Sequence, residues 1–348
     1  MPSKKLLLPN LLAITLAVSA LATIVLSNYH RPAPIELLNV SYDPTRELYK
    51  EINQAFAADY RQRTGGVVHI TQSHGGSSRQ ARLAAVGEIQ PDVVTLGLPS
   101  DVDALRKRGL VSEQWNTQTP NQGRAYSSTI VFVVRKGNPQ QIQDWPDLVK
   151  PGIEVIVPDP KTSGNGKLAA LAAWGSVVLR GGSDADARRY LKTLYQHAPF
   201  LVPAARAAGT AFSQEKLGDV HVAWENEALR EVAESKGELL LVYPPISILA
   251  EPAVATVEAN TARNGHTDVA HAYLDYLFSD AAQEIIARQG YRPYKPEVLA
   301  RYAKTLPPLK LFDIRAIAAN WEEAQNRFFG DNGIIDLVYT PKPRPVAS

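Results

Sequence analysis

The sequence predicts an α/β protein of two domains, and three observations carry the prediction. Short apolar runs alternate with amphipathic stretches from Ile35 to Phe278, the order that produces a largely parallel sheet flanked by helices. Several of these runs end in a turn of small residues that leads straight into a helix. The third observation is length: 348 residues suffice for two separate cores. Charged residues at 21% and apolar ones at 45% are ordinary for a folded soluble chain and argue against disorder.

The formal net charge is +2, and Lys4 and Lys5 in the N-terminal segment account for it. Without them the balance is zero, so there is no basic field for nucleic acid. No cysteine is present, which excludes disulfides, thiolate metal sites, a cysteine nucleophile and a lipoprotein anchor.

Residues 1–27 read as an export segment. Lys4 and Lys5 precede a mostly apolar run from Leu6 to Leu26, with small-residue cleavage sites ending at Ala20 and Ala22. The run also just has the length of an uncleaved membrane anchor. His30–Pro34 is a short linker. Ile35–Tyr42 is the first strand. Asp43 is placed to cap the following helix and Pro44 to occupy its first position. Leu48, Tyr49, Ile52, Phe56 and Tyr60 then follow at helical spacing. Val67–Gln72 is a strand, Ser73-His74-Gly75-Gly76-Ser77-Ser78 a turn, and Arg79–Val86 a helix. Asp92–Leu98 and Ser100–Lys107 repeat the pattern.

Ser127–Arg135 reads as one long buried strand crossing between domains, and Lys136-Gly137-Asn138-Pro139 as a turn. Ile153–Val157 is a strand, followed by Lys161-Thr162-Ser163-Gly164-Asn165-Gly166 and an Ala/Leu-rich helix. Asp184–Tyr195 is an amphipathic helix. Leu201–Thr210 is a small-residue segment before a helix at Ala211–Lys216. Asp219–Trp224 is a strand, and a helix starts at Glu225. Leu239–Tyr243 is a strand, Pro244–Pro252 an extended return crossing and Ala253–Val257 a strand. Helices follow at Val269–Phe278 and Ala281–Gln289, the second capped by Ser279 or Asp280. After a turn at Tyr291-Arg292-Pro293, Ile314–Phe329 reads as one final helix.

The strand–turn–helix units are where chemistry is expected. Each aims free backbone N–H groups and the positive end of a helix dipole at one point. Glycine lets a ligand approach the backbone, and Ser163 adds a hydroxyl. The result is an anion site without a positive side chain. A cap followed by a turn explains any single unit equally well. The G-x-x-x-x-G-K-[ST] spacing of a nucleotide-binding loop is absent. His74 has no triad partner or metal-ligand spacing, so it reads as structural. Lys161 and Lys167, beside the Ser163 turn, read as solvated.

Ser41-Tyr42-Asp43-Pro44-Thr45-Arg46-Glu47-Leu48-Tyr49 resembles the opening of the periplasmic sulfate-binding proteins of bacterial sulfate/thiosulfate ABC importers. Gln72-Ser73-His74-Gly75-Gly76-Ser77, Pro160-Lys161-Thr162-Ser163-Gly164, Ala223-Trp224-Glu225-Asn226-Glu227 and Tyr291-Arg292-Pro293 resemble the same family, in the same order, from about Leu37 to Phe329. The resemblance implies a type II periplasmic-binding-protein fold with the ligand cleft between two lobes. Lobe 1 would comprise 35–118 and 246–295, lobe 2 119–245, and a helical extension 296–348. It implies ligand contacts from the N–H of Asp43, the hydroxyl of Ser77, the N–H or hydroxyl of Ser163, the N–H groups of Gly164, Asn165 and Ala205, and the indole of Trp224.

The chain departs from the family at Asn165, often Gly, at Gly166-Lys167, usually Ala-Arg, and around Ala205, where flanking glycines are missing. The implied function is capture of sulfate and delivery to a membrane ABC permease, without catalysis, cofactor or metal. The protein would be monomeric and periplasmic, soluble after signal cleavage or tethered by its N-terminus. Thiosulfate, molybdate and tungstate are the alternative ligands. An exported serine hydrolase using Ser77 or Ser163 with His74 is the alternative of another class.

Overall fold

The computed structural model describes residues 15–21 and 33–339. The export-segment expectation falls mostly on residues outside these, and 15–21 are helical. No helix among the described residues is long and apolar enough to cross a membrane.

The chain runs β1 (Ile35–Tyr42), α1 (Arg46–Thr64), β2 (Val68–Gly75), α2 (Ser77–Ala85), β3 (Val93–Leu96) and α3 (Pro99–Arg106). It then enters a second set of elements. These are β4 (Ile130–Arg135), β5 (Val155–Pro158), α4 (Gly164–Val178), α5 (Asp184–Gln196), β6 (Leu201–Val202), α6 (Ala205–Ser213), β7 (Val220–Trp224), α7 (Glu225–Glu234) and β8 (Leu239–Val242). It returns at β9 (Ala253–Thr256).

The first sheet has the order β9-β3-β1-β2, with β9 antiparallel to β3 and the rest parallel. The second has the order β6-β5-β7-β4-β8, with β4 antiparallel to both neighbours. Each sheet is thus parallel with an antiparallel strand supplied by a crossing segment. In such sheets ligands bind beyond the carboxyl ends of the parallel strands. Register decides which ends meet. Tyr42 lies opposite Gly75, so the turns after β1 and β2 are side by side. Pro158 pairs with Val202, which does the same for the turns after β5 and β6.

Strands β3, β5, β7 and β9 are buried on both faces, as expected where helices cover each side, while β2 and β8 at the sheet edges are partly exposed. In the second sheet, α4 accounts for much of this. Its Ala- and Leu-rich sequence is buried all round, from Gly164 to Ser176.

Several elements differ from the sequence reading, among them the expected turn at 291–293, where Arg292–Pro293 is a short strand antiparallel to Tyr126–Ser127. The expected strand at 127–135 is two strands, Tyr126–Ser127 and Ile130–Arg135. Between them Ser128 N–H donates to Ala250 O and Thr129 Oγ1 to Ile248 O, so the crossing segments bind each other there. The helix expected at 211–216 begins at Ala205 instead. Alanine-rich sequence favours helix at once, and Asp43 accepts the N–H of Arg206 in its first turn. The expected final helix is broken into a 3₁₀ turn (Ile314–Ala316), an α turn (Trp321–Ala324) and a π turn (Gln325–Phe329). Asn320 breaks it, because its side chain caps the second piece by accepting from Glu323 N–H at 2.8 Å. This C-terminal region packs on α4, where Trp174 and Phe328 meet edge to face at 5.0 Å.

Candidate functional site

The two sheets face each other across a small, tightly closed cavity. All seven residues singled out from the sequence line it: Asp43, Ser77, Ser163, Gly164, Asn165, Ala205 and Trp224. Tyr42, Pro44, Gly75 and Gly76 complete the wall. Asp43 and Ser77 come from the first sheet's turns. The other five come from the second sheet. The walls close in so tightly that no water-sized space is left between them. A space this small is no site for a drug-sized ligand, which takes roughly 300–1,000 Å³.

The helices explain which atoms are free to act. Ser77 is the first residue of α2, Gly164 the first of α4 and Ala205 the first of α6. Their N–H groups, with that of Asn165, belong to first turns and have no intrahelical acceptor. Asp43 starts a 3₁₀ turn that runs into α1. Several positive helix ends therefore converge on one space.

Ser163 caps α4, its Oγ facing Gly166 N–H at 3.5 Å. Its own N–H already donates to Asp159 O at 2.9 Å. The family pattern left Ser163 a choice of N–H or hydroxyl, and this bond leaves the hydroxyl as its donor. For Ser77 the structure points the other way. Its hydroxyl donates to Asp101 Oδ2 at 2.5 Å and accepts from Gly97 N–H at 2.9 Å. The expected hydroxyl is thus engaged, and the N–H of Ser77 is its available donor.

Trp224 ends β7 and is fully buried. Its ring packs on Tyr42 at 5.3 Å, and its indole N–H has no hydrogen-bond partner. A buried orphan donor costs about 1–3 kcal/mol, so this one calls for an acceptor in the cavity. Tyr42 is one of the four wall residues, with Pro44, Gly75 and Gly76, that were not among the expected contacts. Its place at the end of β1, immediately before Asp43, was the available signal.

Asp43 does not cap its own helix, contrary to expectation. Its Oδ2 accepts the N–H of Arg206 at 2.9 Å, and its Oδ1 pairs with Arg46 at 2.5 Å. The carboxylate therefore caps a helix of the opposite sheet and carries an ion pair. Arg206 also reaches Glu47 at 2.8 Å and Glu227 at 3.0 Å. Burial opposes the Arg206 charge, but these two carboxylates hold its pKa above the usual value. Burial raises the pKa of Glu227.

Gly76 shows why glycine precedes α2. A Cβ there would lie 2.3 Å from Thr162 O and 2.8 Å from Pro203 O, both on the facing side. Gly166 has a comparable reason, since its Cβ would lie 2.4 Å from Pro158 O. Asn165 is held by its side chain, which donates to Val222 O at 3.0 Å.

Two further expectations change. Lys167 is not solvated: it is 4% exposed and lies 3.3 Å from Asp101. The Ala/Leu-rich helix that carries it is buried all round, so a long side chain there must find a buried partner. Lys161 is half-buried rather than free, and it pairs with Asp336 at 2.7 Å.

His74 approaches Gln72 Oε1 through Nε2 and Tyr42 O through Nδ1. It is therefore committed to the end of β1 and does not engage Ser77. Burial lowers its pKa, so it is neutral at pH 7.

The remaining motifs form a clamp behind the cavity. Arg292 makes two 2.7 Å bonds to the buried Glu225, and Asn226 Nδ2 donates to Tyr291 Oη at 3.0 Å. Tyr291 Oη in turn donates to Pro44 O at 3.0 Å.

The profile of the family described as "Bacterial extracellular solute-binding protein" matches residues 38–292. The Escherichia coli (strain K12) sulfate-binding protein is 46% identical over 306 residues, covering 87% of this chain and 93% of that one. A Pseudomonas aeruginosa thiosulfate-binding protein is 42% identical over 340 residues, covering 97% and 99%. Among solved structures, the sulfate-binding protein SubI from Mycobacterium tuberculosis superposes with a TM-score of 0.76 at 30% identity, covering 85% of this chain and 99% of SubI. The protein is thus one of the bacterial extracellular solute-binding proteins, in the group of the sulfate- and thiosulfate-binding proteins.

Proposed function

We propose that this protein binds sulfate in the cavity between its two sheets and delivers it to a membrane ABC permease. It is a binding protein and not an enzyme, as its relatives are. The observation that carries the ligand assignment is the buried indole N–H of Trp224, without a partner, beside helix N-termini that offer only uncharged donors. At neutral pH sulfate is a dianion that accepts and never donates. The two nearest carboxylates are already engaged, Asp43 by Arg206 and Arg46, and Asp101 by Ser77 and Lys167. Phosphate at that pH usually carries a proton that must find an acceptor. Leaving that hydrogen bond unmade costs about 1–3 kcal/mol.

The ligand contacts in this reading are the N–H groups of Asp43, Ser77, Gly164, Asn165 and Ala205, the Ser163 hydroxyl and the Trp224 indole. Calorimetric titration of sulfate-free protein with sulfate, thiosulfate, phosphate and molybdate tests it. Sulfate should bind with phosphate weaker by about tenfold or more, the factor that corresponds to 1.4 kcal/mol. Equal affinity for phosphate would overturn the donor-only argument. Thiosulfate is the second reading, because the Pseudomonas thiosulfate-binding relative matches this chain over 97% of its length. Tighter binding of thiosulfate than sulfate would establish it.

Residues 1–27 fit export to the periplasm with cleavage of the segment. Fractionation should find the processed protein soluble in the periplasm. Full-length protein in the membrane fraction would indicate an anchor instead, and full-length protein in the cytosol would overturn export.

A further inference from the structure

We propose that Arg79, Arg82 and Arg108 form a cationic rim that draws a dianion to the open cleft and sets the rate of sulfate capture. This rests on the sulfate reading above. The donors inside the cavity are buried, Trp224 fully and Ser77 and Asn165 at 1% exposure, so they act on the ion only once it has arrived. Attraction from a distance needs charge near the entrance, and uncharged donors supply little of it.

Two open grooves flank the cavity, and each is lined by both lobes. One takes Arg82 from α2, Arg108 from just beyond α3, and Pro160 and Lys161 from the turn after β5. The other takes Gly76 and Arg79 from the start of α2, and Pro203 and Arg206 from around the start of α6. Neither includes a residue of the crossing segments at 126–130 and 247–250, so both lie on the open rim of the cleft. Most of the charge in these grooves is paired. Lys107 meets Glu322, Lys161 Asp336, Lys167 Asp101 and Arg46 Asp43, while Arg206 meets Glu47 and Glu227. Paired charges largely cancel at a distance.

Arg79, Arg82 and Arg108 differ from these. All three are exposed, and none has a carboxylate at ion-pair distance among the described residues. The opposing charges on the two grooves are Asp331, beside Arg82 and Arg108, and Glu215, beside Arg79. Helix α2 adds a reason to read the placement as functional. Arg79 stands in its first turn, where the helix dipole favours a carboxylate and opposes a cation. No acidic residue occurs anywhere in Ser77–Ala85 to offset it. A local rule broken without a compensating contact is expected where function gains from it. The helix that presents Ser77 N–H to the cavity thus carries one arginine to each groove. The three side chains do not line the cavity, so they are positioning residues that act before the ligand is bound.

Stopped-flow kinetics with sulfate, over a range of sodium chloride concentrations, tests this. Changing a rim charge acts on association and on its salt dependence, not on dissociation. The screening length is about 30 Å at 0.01 M salt and about 3 Å at 1 M. At the low concentration Arg82→Gln should lower kon by about twofold, and the triple variant Arg79→Gln, Arg82→Gln, Arg108→Gln by about fivefold or more. Their koff should change by less than about twofold. At the high concentration the kon of variant and wild type should converge. Asp331→Asn should act with the opposite sign and raise kon at low salt. Lys236→Gln, beyond the end of α7 that points away from Trp224, should leave kon unchanged. Lost structure would produce neither the salt dependence nor the gain in Asp331→Asn. A triple variant with wild-type kon at low salt, a loss that persists at high salt, an Asp331→Asn slower than wild type, or a Lys236→Gln as slow as Arg82→Gln overturns the rim. Sulfate binding with a salt-independent kon overturns the rim alone. Wild-type protein that binds no sulfate overturns the functional reading and the rim together.

Discussion

The two sheets contribute to the cavity in different ways. The first offers backbone: Asp43 and Ser77 turn their side chains away from a ligand, one to Arg206 and Arg46, the other to Asp101 and Gly97. The second offers side chains as well, the Ser163 hydroxyl and the Trp224 indole, besides three backbone groups. The difference separates two tasks. In the proposed reading the first sheet spends these side chains on structure, Asp43 across the cleft and Ser77 within its own half, and the second sheet's side chains read the ligand. Substitution by any residue but proline can delete a side-chain donor but not a backbone one, so the two halves should respond unequally to mutagenesis.

The largest effect should come from Trp224→Phe. It keeps the aromatic contact with Tyr42 and removes the orphan donor, so sulfate affinity should fall by about 1.5–3 kcal/mol, the range for hydrogen bonds to a charged group. Ser163→Ala should fall in the lower half of that range. Its N–H is tied to Asp159 O and cannot substitute. Calorimetry on sulfate-free protein measures both. If Trp224→Phe is silent, the indole does not bond the ligand and the donor assignment fails.

Ser77→Ala should cost less, about 0.5–1.5 kcal/mol, because its N–H stays in place and only the bonds to Asp101 and Gly97 are lost. A loss larger than that of Ser163→Ala would break the proposed division between the sheets. Asn165→Ala should leave affinity nearly unchanged and lower the melting temperature, since its side chain holds Val222 O.

Much of this site was legible in the sequence, for a definite reason. A ligand held by helix starts needs small residues at fixed places after strands, and such turns can be read from the chain alone. Gly164 and Ser163 are examples. What could not be read is which atom of a residue is already engaged. The hydroxyl of Ser77 is lost to Asp101, 24 positions away, and the N–H of Ser163 to Asp159. The burial of Lys167 was equally invisible, because its partner lies 66 positions away on the other lobe. The final helix was misread for a local reason. Apolar periodicity continues through Ile314–Phe329, but Asn320 prefers to cap. The β-rich crossing at 126–135 was merged for the opposite reason, since Ser128 and Thr129 look neutral in a strand until their partners across the crossing are known.

The smallest expected effect concerns pH, and it sharpens the comparison because it separates binding from stability. The proposed donors are amides, a hydroxyl and an indole, none of which titrates between pH 5 and 8. Sulfate affinity should therefore stay within about twofold across that range. Stability should not be so flat. Burial lowers the pKa of His74 in the folded state, so the unfolded chain takes up a proton more readily. Stability is then complete above the unfolded His value of about 6.5 and declines as pH falls below it. Glu227 acts with the opposite sign. Burial raises its pKa, so its unfavourable contribution grows as pH rises above the ordinary carboxylate value of about 4.3. The variant His74→Gln isolates the first term, and its melting temperature should vary less than that of the wild type between pH 7 and 5. A tenfold loss of sulfate affinity centred near pH 6.5, abolished by the same variant, would instead place His74 against the ligand. It would then also show that the first sheet reads the ligand with a side chain, and the contrast between the two sheets would fall.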